Sequence, residues 1–160
     1  LHAAVGLAQI KKLDTFLSLQ RKNNKLLRSY LEQVPGITFR AVPDEAGDSC
    51  SFLSWMLPTE ADTKAAIESL KEAGVFAGNF YWYANNWHYI TKWDHLKNAT
   101  TLNRLNEDQT TALLSLQTQS FAKSDAIMSR TISTAISLLW TEEQIIEKGE
   151  KMLAAITKVL

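Results

Sequence analysis

From Ala3 to Val34 the apolar side chains recur at the three-to-four-residue interval of an amphipathic helix. Val5, Leu7 or Ala8, Ile10, Leu13, Phe16 and Leu17 form one stripe, which Leu27, Tyr30, Leu31 and Val34 continue. A polar run from Gln20 to Lys25 separates the two halves and is expected to face solvent or a partner, and a bend is expected somewhere along the stretch. Pro35-Gly36 stops the helix, because proline cannot continue it and glycine accepts a left-handed backbone. Ile37 to Val42 then alternates as a strand, Pro43 to Ser49 reads as a loop, and Ser51 to Leu57 is a second strand stopped by Pro58. An antiparallel hairpin is the economical pairing of the two.

Asp62 is expected to cap a helix from Thr63 to Ala73, with Ala66, Ile67 and Leu70 inward and Gly74 at its end. Val75 to Tyr83 predicts a strand leading into a short helix around Trp87 to Leu96. Lys97 to Gln119 is polar and irregular, and reads as a long surface excursion holding one helical turn. Thr131 to Ser137 alternates as a strand. Thr141-Glu142-Glu143-Gln144 is a capping box whose helix runs to the end of the chain, burying Ile145, Met152, Leu153, Ile156 and Val159 or Leu160. The predicted fold is therefore α/β of the α+β type, with helices packed on one face of a small, mostly antiparallel sheet.

Composition narrows the function classes. With 17 basic and 17 acidic residues the 160-residue chain has no net charge and no basic stripe, which argues against a nucleic-acid partner. A single cysteine, Cys50, excludes an intrachain disulfide and a paired-cysteine zinc site, and a free thiol suits a reducing compartment. No apolar run approaches the roughly 18–20 residues of a membrane span, and no secretory leader pattern is present. The expectation is a cytoplasmic protein without a membrane partner. Leu1 already stands inside the helical pattern, so the chain is expected to be a piece of something larger.

The six glycines are dispersed, with no phosphate-binding loop, and no nucleophile-elbow motif occurs. His2, His88 and His95 lack metal-site spacing. The unusual stretch is Phe80-Tyr81-Trp82-Tyr83-Ala84-Asn85-Asn86-Trp87-His88-Tyr89. Read as core, its aromatics are large apolar fillers. Read as a site, the rings stack on a sugar while the amides and imidazole bind hydroxyls; adjacent asparagines fit a core poorly, since buried amides need partners. Both readings stand at this point. Arg130, before the last strand, is either a surface residue or an anion clamp whose fork matches a carboxylate, with Lys123, Ser124 and Asp125 as a polar approach. The charge run Arg21 to Lys25 reads as a solvated helix face or a subunit contact.

Several of these segments resemble one family. Leu1 to Gln9 followed by Ile10-Lys11-Lys12-Leu13-Asp14 is similar to a segment of the DegT/StrS-type sugar aminotransferases, and Arg21-Lys22-Asn23 is similar to an element of their long helix. Gly47-Asp48-Ser49, Phe52-Leu53-Ser54, Phe80 to Tyr83, Asn85 to Tyr89 and Lys123 to Ser133 resemble stretches of the 8-amino-3,8-dideoxy-manno-octulosonate aminotransferases within that family. The likeness covers nearly the whole chain, and Lys97 to Gln119 departs from it.

This resemblance implies the C-terminal small domain of a fold-type I, pyridoxal-phosphate-dependent aminotransferase, with residues 1–160 as one domain and the large cofactor-binding domain absent. It implies a homodimer that transfers an amino group from an amino-acid donor to a keto or aldehyde sugar for lipopolysaccharide synthesis. The cofactor's lysine, its aspartate and most phosphate contacts belong to the large domain, so no catalytic or cofactor-binding residue is expected here and the piece alone is expected to be inactive. Trp82, Tyr83, Asn85, Asn86, Trp87, His88 and Arg130 are the expected substrate-binding residues. The first helix is expected to expose an apolar strip, around Leu1, Val5 and Ala8, that the missing domain covers. A non-catalytic interaction or regulatory module, or a stand-alone carbohydrate-binding domain, are the alternatives.

Overall fold

The computed structural model describes residues 2–84 and 88–160. The chain divides into two compact units, Leu1–Phe80 with Arg130–Leu160, and Tyr81–Ser129.

The first unit is an antiparallel sheet with helices on one face. Helix α1 (His2–Ile10) breaks at Lys11-Lys12, and α2 (Leu13–Leu31) follows. Strands β1 (Thr38–Phe39), β2 (Phe52–Met56), β3 (Asn79–Phe80) and β4 (Thr131–Ala135) pair in the order β1-β2-β4-β3, with α3 (Glu60–Glu72) between β2 and β3. Every pairing is antiparallel. In the β2–β4 register Leu53 stands opposite Thr134 and Trp55 opposite Ile132, so strand alternation turns these side chains to one face, where all four are buried. Leu27 and Leu31 of α2 and Ala66, Ile67 and Leu70 of α3 complete this core. The last helix of the unit (Glu142–Thr157) adds Ile145, Met152 and Ile156, and opens on the expected capping box at Thr141. On the other face Phe52 meets Phe80 edge to face and the Ser54 and Ser133 hydroxyls lie 2.8 Å apart.

A buried polar chain threads the core. The Trp55 indole N–H donates to Thr134 Oγ1 at 3.1 Å, and the Thr134 hydroxyl donates to Asn79 Oδ1. Asn79 Nδ2 in turn donates to the carbonyls of Val75 and Phe76.

Several elements differ from the sequence expectation. The third helix is capped by Thr59, whose side chain accepts from Asp62 N, so Asp62 stands one turn inside. Val75 to Tyr83 extends only over Asn79–Phe80. The reason is a Schellman closure of α3: Val75 N–H donates to Leu70 O and Gly74 N–H to Lys71 O, with Gly74 and Gly78 both at positive φ. The polar run on α2 is not a solvated face. Asn23 is buried and donates to Ser137 O at 3.0 Å, Asn24 reaches the carbonyls of Cys50 and Phe52, and Arg21 holds those of Ala46 and Asp48. Only Lys22, paired with Glu142, and Lys25 are exposed. The carbonyls of Ala46, Asp48 and Cys50 belong to the irregular loop between β1 and β2, where these side chains take the place of a strand partner. Helix α1 buries nothing: Val5, Leu7 and Ile10 are 53%, 59% and 68% exposed, while Leu1 lies outside the described residues.

The second unit begins with single 3-10 turns at Trp82–Ala84 and Ile90–Lys92 and continues through α4 (Asp94–Lys97), α5 (Glu107–Leu114), a further turn at Ser115–Gln117 and α6 (Ala122–Met128). The final helix of the chain is therefore α7. The 97–119 segment is more ordered than expected, because Asn106 and Gln109 form a reciprocal capping box that starts α5. The short helix expected around Trp87 to Leu96 is a 3-10 turn followed by α4, and Trp87 lies outside the described residues. Among the described residues no helix is long and apolar enough to cross a membrane.

Candidate functional site

The aromatic stretch is held by two tyrosine hydroxyls within the second unit. Tyr81 donates to Ser129 O at 2.9 Å, at the C-terminal end of α6, and Tyr89 donates to Asp125 Oδ1 on the same helix. Tyr89 is buried, and burial, reinforced by the bond to Asp125, holds its phenol above the ordinary value. Thus Lys123-Ser124-Asp125 is not a loose polar approach but the body of a helix, and Asp125 anchors the stretch.

Between these anchors the rings stay accessible. Phe80, Tyr81, Trp82 and Tyr83 are half-buried and His88 is exposed, so Tyr89 alone among the described aromatics of the stretch meets the core reading. Trp82 and His88 meet edge to face with centroids 4.9 Å apart. Tyr83 stands 6.2 Å from Tyr81 and 5.9 Å from Tyr89, and the Lys92 ammonium lies 4.2 Å from the Tyr83 ring centroid. The described rings thus form two sets, Trp82 with His88 and Tyr83 with Tyr81, Tyr89 and Lys92; Asn85, Asn86 and Trp87 lie outside the described residues. Lys92 escaped the sequence reading. Its signal was the spacing to Tyr83 across a turn, which has no fixed period.

Arg130 belongs to the first unit and is half-buried. One guanidinium nitrogen donates to Leu57 O and Pro58 O, each at 3.3 Å, at the end of β2. Its carbonyl accepts from Leu57 N–H, which extends the β2–β4 ladder by one rung. Part of this side chain is thus structural.

A cleft of about 440 Å³ in the first unit lies elsewhere, lined by Arg21, Lys25, Arg28, Phe39, Asp48 and Cys50 among others. Two of its guanidinium groups are ion-paired, Arg28, which also contacts the Phe39 ring, with Glu32 and Arg40 with Asp48, while Arg21 binds the carbonyls of Ala46 and Asp48. Burial pushes the Cys50 thiol up, away from the reactive thiolate. No cluster of three or more His, Cys, Asp or Glu side chains suited to a metal occurs among the described residues.

A helix-backed antiparallel sheet of this kind is found in solved aminotransferases. The chain is similar to 3-amino-5-hydroxybenzoic acid (AHBA) synthase, with a TM-score of 0.60 at 19% identity, covering 94% of this chain and 37% of that one. It is likewise similar to aminotransferase TlmJ from Streptoalloteichus hindustanus, with a TM-score of 0.62 at 13% identity, covering 99% and 36%. At these identities the likeness shows the fold, and the chain spans little more than a third of either structure. The sequence is more specific: the model of the DegT/DnrJ/EryC1/StrS aminotransferase family matches residues 1–129, and the chain belongs to that family.

Proposed function

We propose that this chain is the substrate-pocket and dimer-forming C-terminal part of a cytoplasmic, homodimeric aminotransferase that aminates a keto or aldehyde sugar of the octulosonate type for lipopolysaccharide synthesis. The observation that carries the reading is a set of accessible rings, Trp82 against His88 and Tyr83 against the anchored Tyr81 and Tyr89, in a chain of this family. Flat ring faces take the apolar faces of a sugar, and the imidazole, with Asn85 and Asn86, takes its hydroxyls.

The family implies pyridoxal phosphate, which when bound supplies the electron sink for amino-group transfer. The residues described here do not compose its site. The lysine whose amine burial pulls below its ordinary value, Lys148, donates to the carbonyls of Val75 and Ala77 and lies near the Trp140 ring. That ammonium ties α7 to the β3 approach and is not placed as a cofactor lysine. The proposal therefore gives the cofactor to the part of the family fold that this chain does not span, and leaves binding and orientation of the sugar to Trp82, Tyr83, Asn85, Asn86, Trp87 and His88.

The test uses the full-length protein. His88→Ala and Asn86→Ala are expected to slow the half-reaction with the sugar about tenfold or more, a loss of about 1.4 kcal/mol, and to leave the half-reaction with the amino donor unchanged. Equal loss in both halves would point to packing and overturn the site. A wild-type protein that transfers no amino group would favour a non-catalytic module.

A further inference from the structure

We infer that Lys92 reads the carboxylate of an acidic sugar over the face of Tyr83, and so sets the preference for a sugar acid over a neutral sugar; this rests on the proposed function. Three observations converge on that residue. Its ammonium sits 4.2 Å from the centroid of Tyr83, one of the rings proposed above to take the sugar. The side chain belongs to a half-buried residue. And it has no hydrogen-bond or ion-pair partner among the described residues: Asp94, which feels its charge, pairs with Lys97 at 2.7 Å, and Asp125 accepts from Tyr89.

A cation held against a phenol face keeps its outward hemisphere for an anion, because the ring quadrupole attracts the ammonium without neutralising it. The other strong cation of the sequence reading is differently placed. Arg130 has one nitrogen on the carbonyls of Leu57 and Pro58. The inference thus gives the sugar's carboxylate to Lys92. Geometry within the turn supports it: Lys92 closes the 3-10 turn Ile90–Lys92, whose N–H donates to Tyr89 O, so the anchored Tyr89 fixes the backbone that carries the lysine.

The experiment compares two probes that differ only in charge, the 8-aldehyde of 3-deoxy-octulosonate as free acid and as methyl ester, with full-length wild type, Lys92→Met and Lys92→Arg. Methionine keeps the stem and loses the cation. Arginine keeps both the cation and its stacking. The expected result is a KM for the free acid raised more than tenfold in Lys92→Met, an unchanged KM for the ester, and near wild-type behaviour in Lys92→Arg. The donor half-reaction should not move. A rise that is equal for acid and ester, or no rise at all, overturns the inference and leaves Lys92 as a prop for Tyr83. If wild type turns over neither sugar, the proposed function has failed separately. The same two compounds are then compared by equilibrium binding, where equal affinities in wild type and Lys92→Met overturn the assignment.

Discussion

Replacing Thr134 with valine tests whether the buried polar chain holds the first unit together. Thr134 is 0% exposed, and its hydroxyl is the link between the Trp55 indole and the Asn79 amide. Valine keeps the volume and removes both hydrogen bonds at once. The Trp55 N–H and Asn79 Oδ1 are then left in the core without that partner, at about 1–3 kcal/mol each. The added methyl returns about 0.8 kcal/mol of apolar burial. The net loss is about 3 kcal/mol, which for a chain of this length lowers Tm by roughly 6–12 °C. Urea unfolding followed by tryptophan fluorescence reads it as a lower midpoint at unchanged slope. Thr134→Ser is the control: it keeps the hydroxyl, loses a methyl, and should cost only about 1 kcal/mol. If valine proves at least as stable as threonine while serine is weaker, the hydroxyl contributes nothing and the reasoning is wrong.

Two further substitutions have definite outcomes. Gly149 of α7 packs on Tyr30 of α2 so closely that an added Cβ would sit 2.6 Å from the ring's Cγ, the atom least able to swing aside. Gly149→Ala should therefore destabilise by about 1–2 kcal/mol despite the roughly 1 kcal/mol helix-propensity gain, and become neutral or stabilising in a Tyr30→Ala background. Arg130→Lys in the full-length protein should raise KM for a carboxylate substrate more than tenfold, about 1.4 kcal/mol, because lysine cannot form the two parallel bonds. A lower Tm with unchanged KM would instead confine Arg130 to its bonds with Leu57 and Pro58.

Periodicity revealed what periodicity governs. The long helix with its break, the hairpin, the capping box at Thr141 and the fold class were all legible because an apolar stripe or a cap repeats at a fixed spacing. What lay outside it was decided by hydrogen bonds that follow no fixed period, several of them between residues far apart in sequence. Asn23 looks like a solvated polar residue until its carbonyl partner, Ser137, is known. The Schellman closure at Gly74 consumes residues whose apolar character suggested a longer strand. Likewise the aromatic stretch was recognisable as unusual, but its anchors, Ser129 and Asp125, stand 48 and 36 residues away.

These contacts also supply a way to separate the fold's polar residues from those that face a ligand. Arg21, Asn23, Asn24, Lys148 and one nitrogen of Arg130 all end on main-chain carbonyls outside the regular ladders. A buried carbonyl without a donor is costly, so each of these side chains is accounted for by the backbone it satisfies. Lys92 makes no side-chain hydrogen bond or ion pair among the described residues, and its ammonium rests on an aromatic face. On the reading proposed above, that ammonium is the charge that meets the sugar's carboxylate.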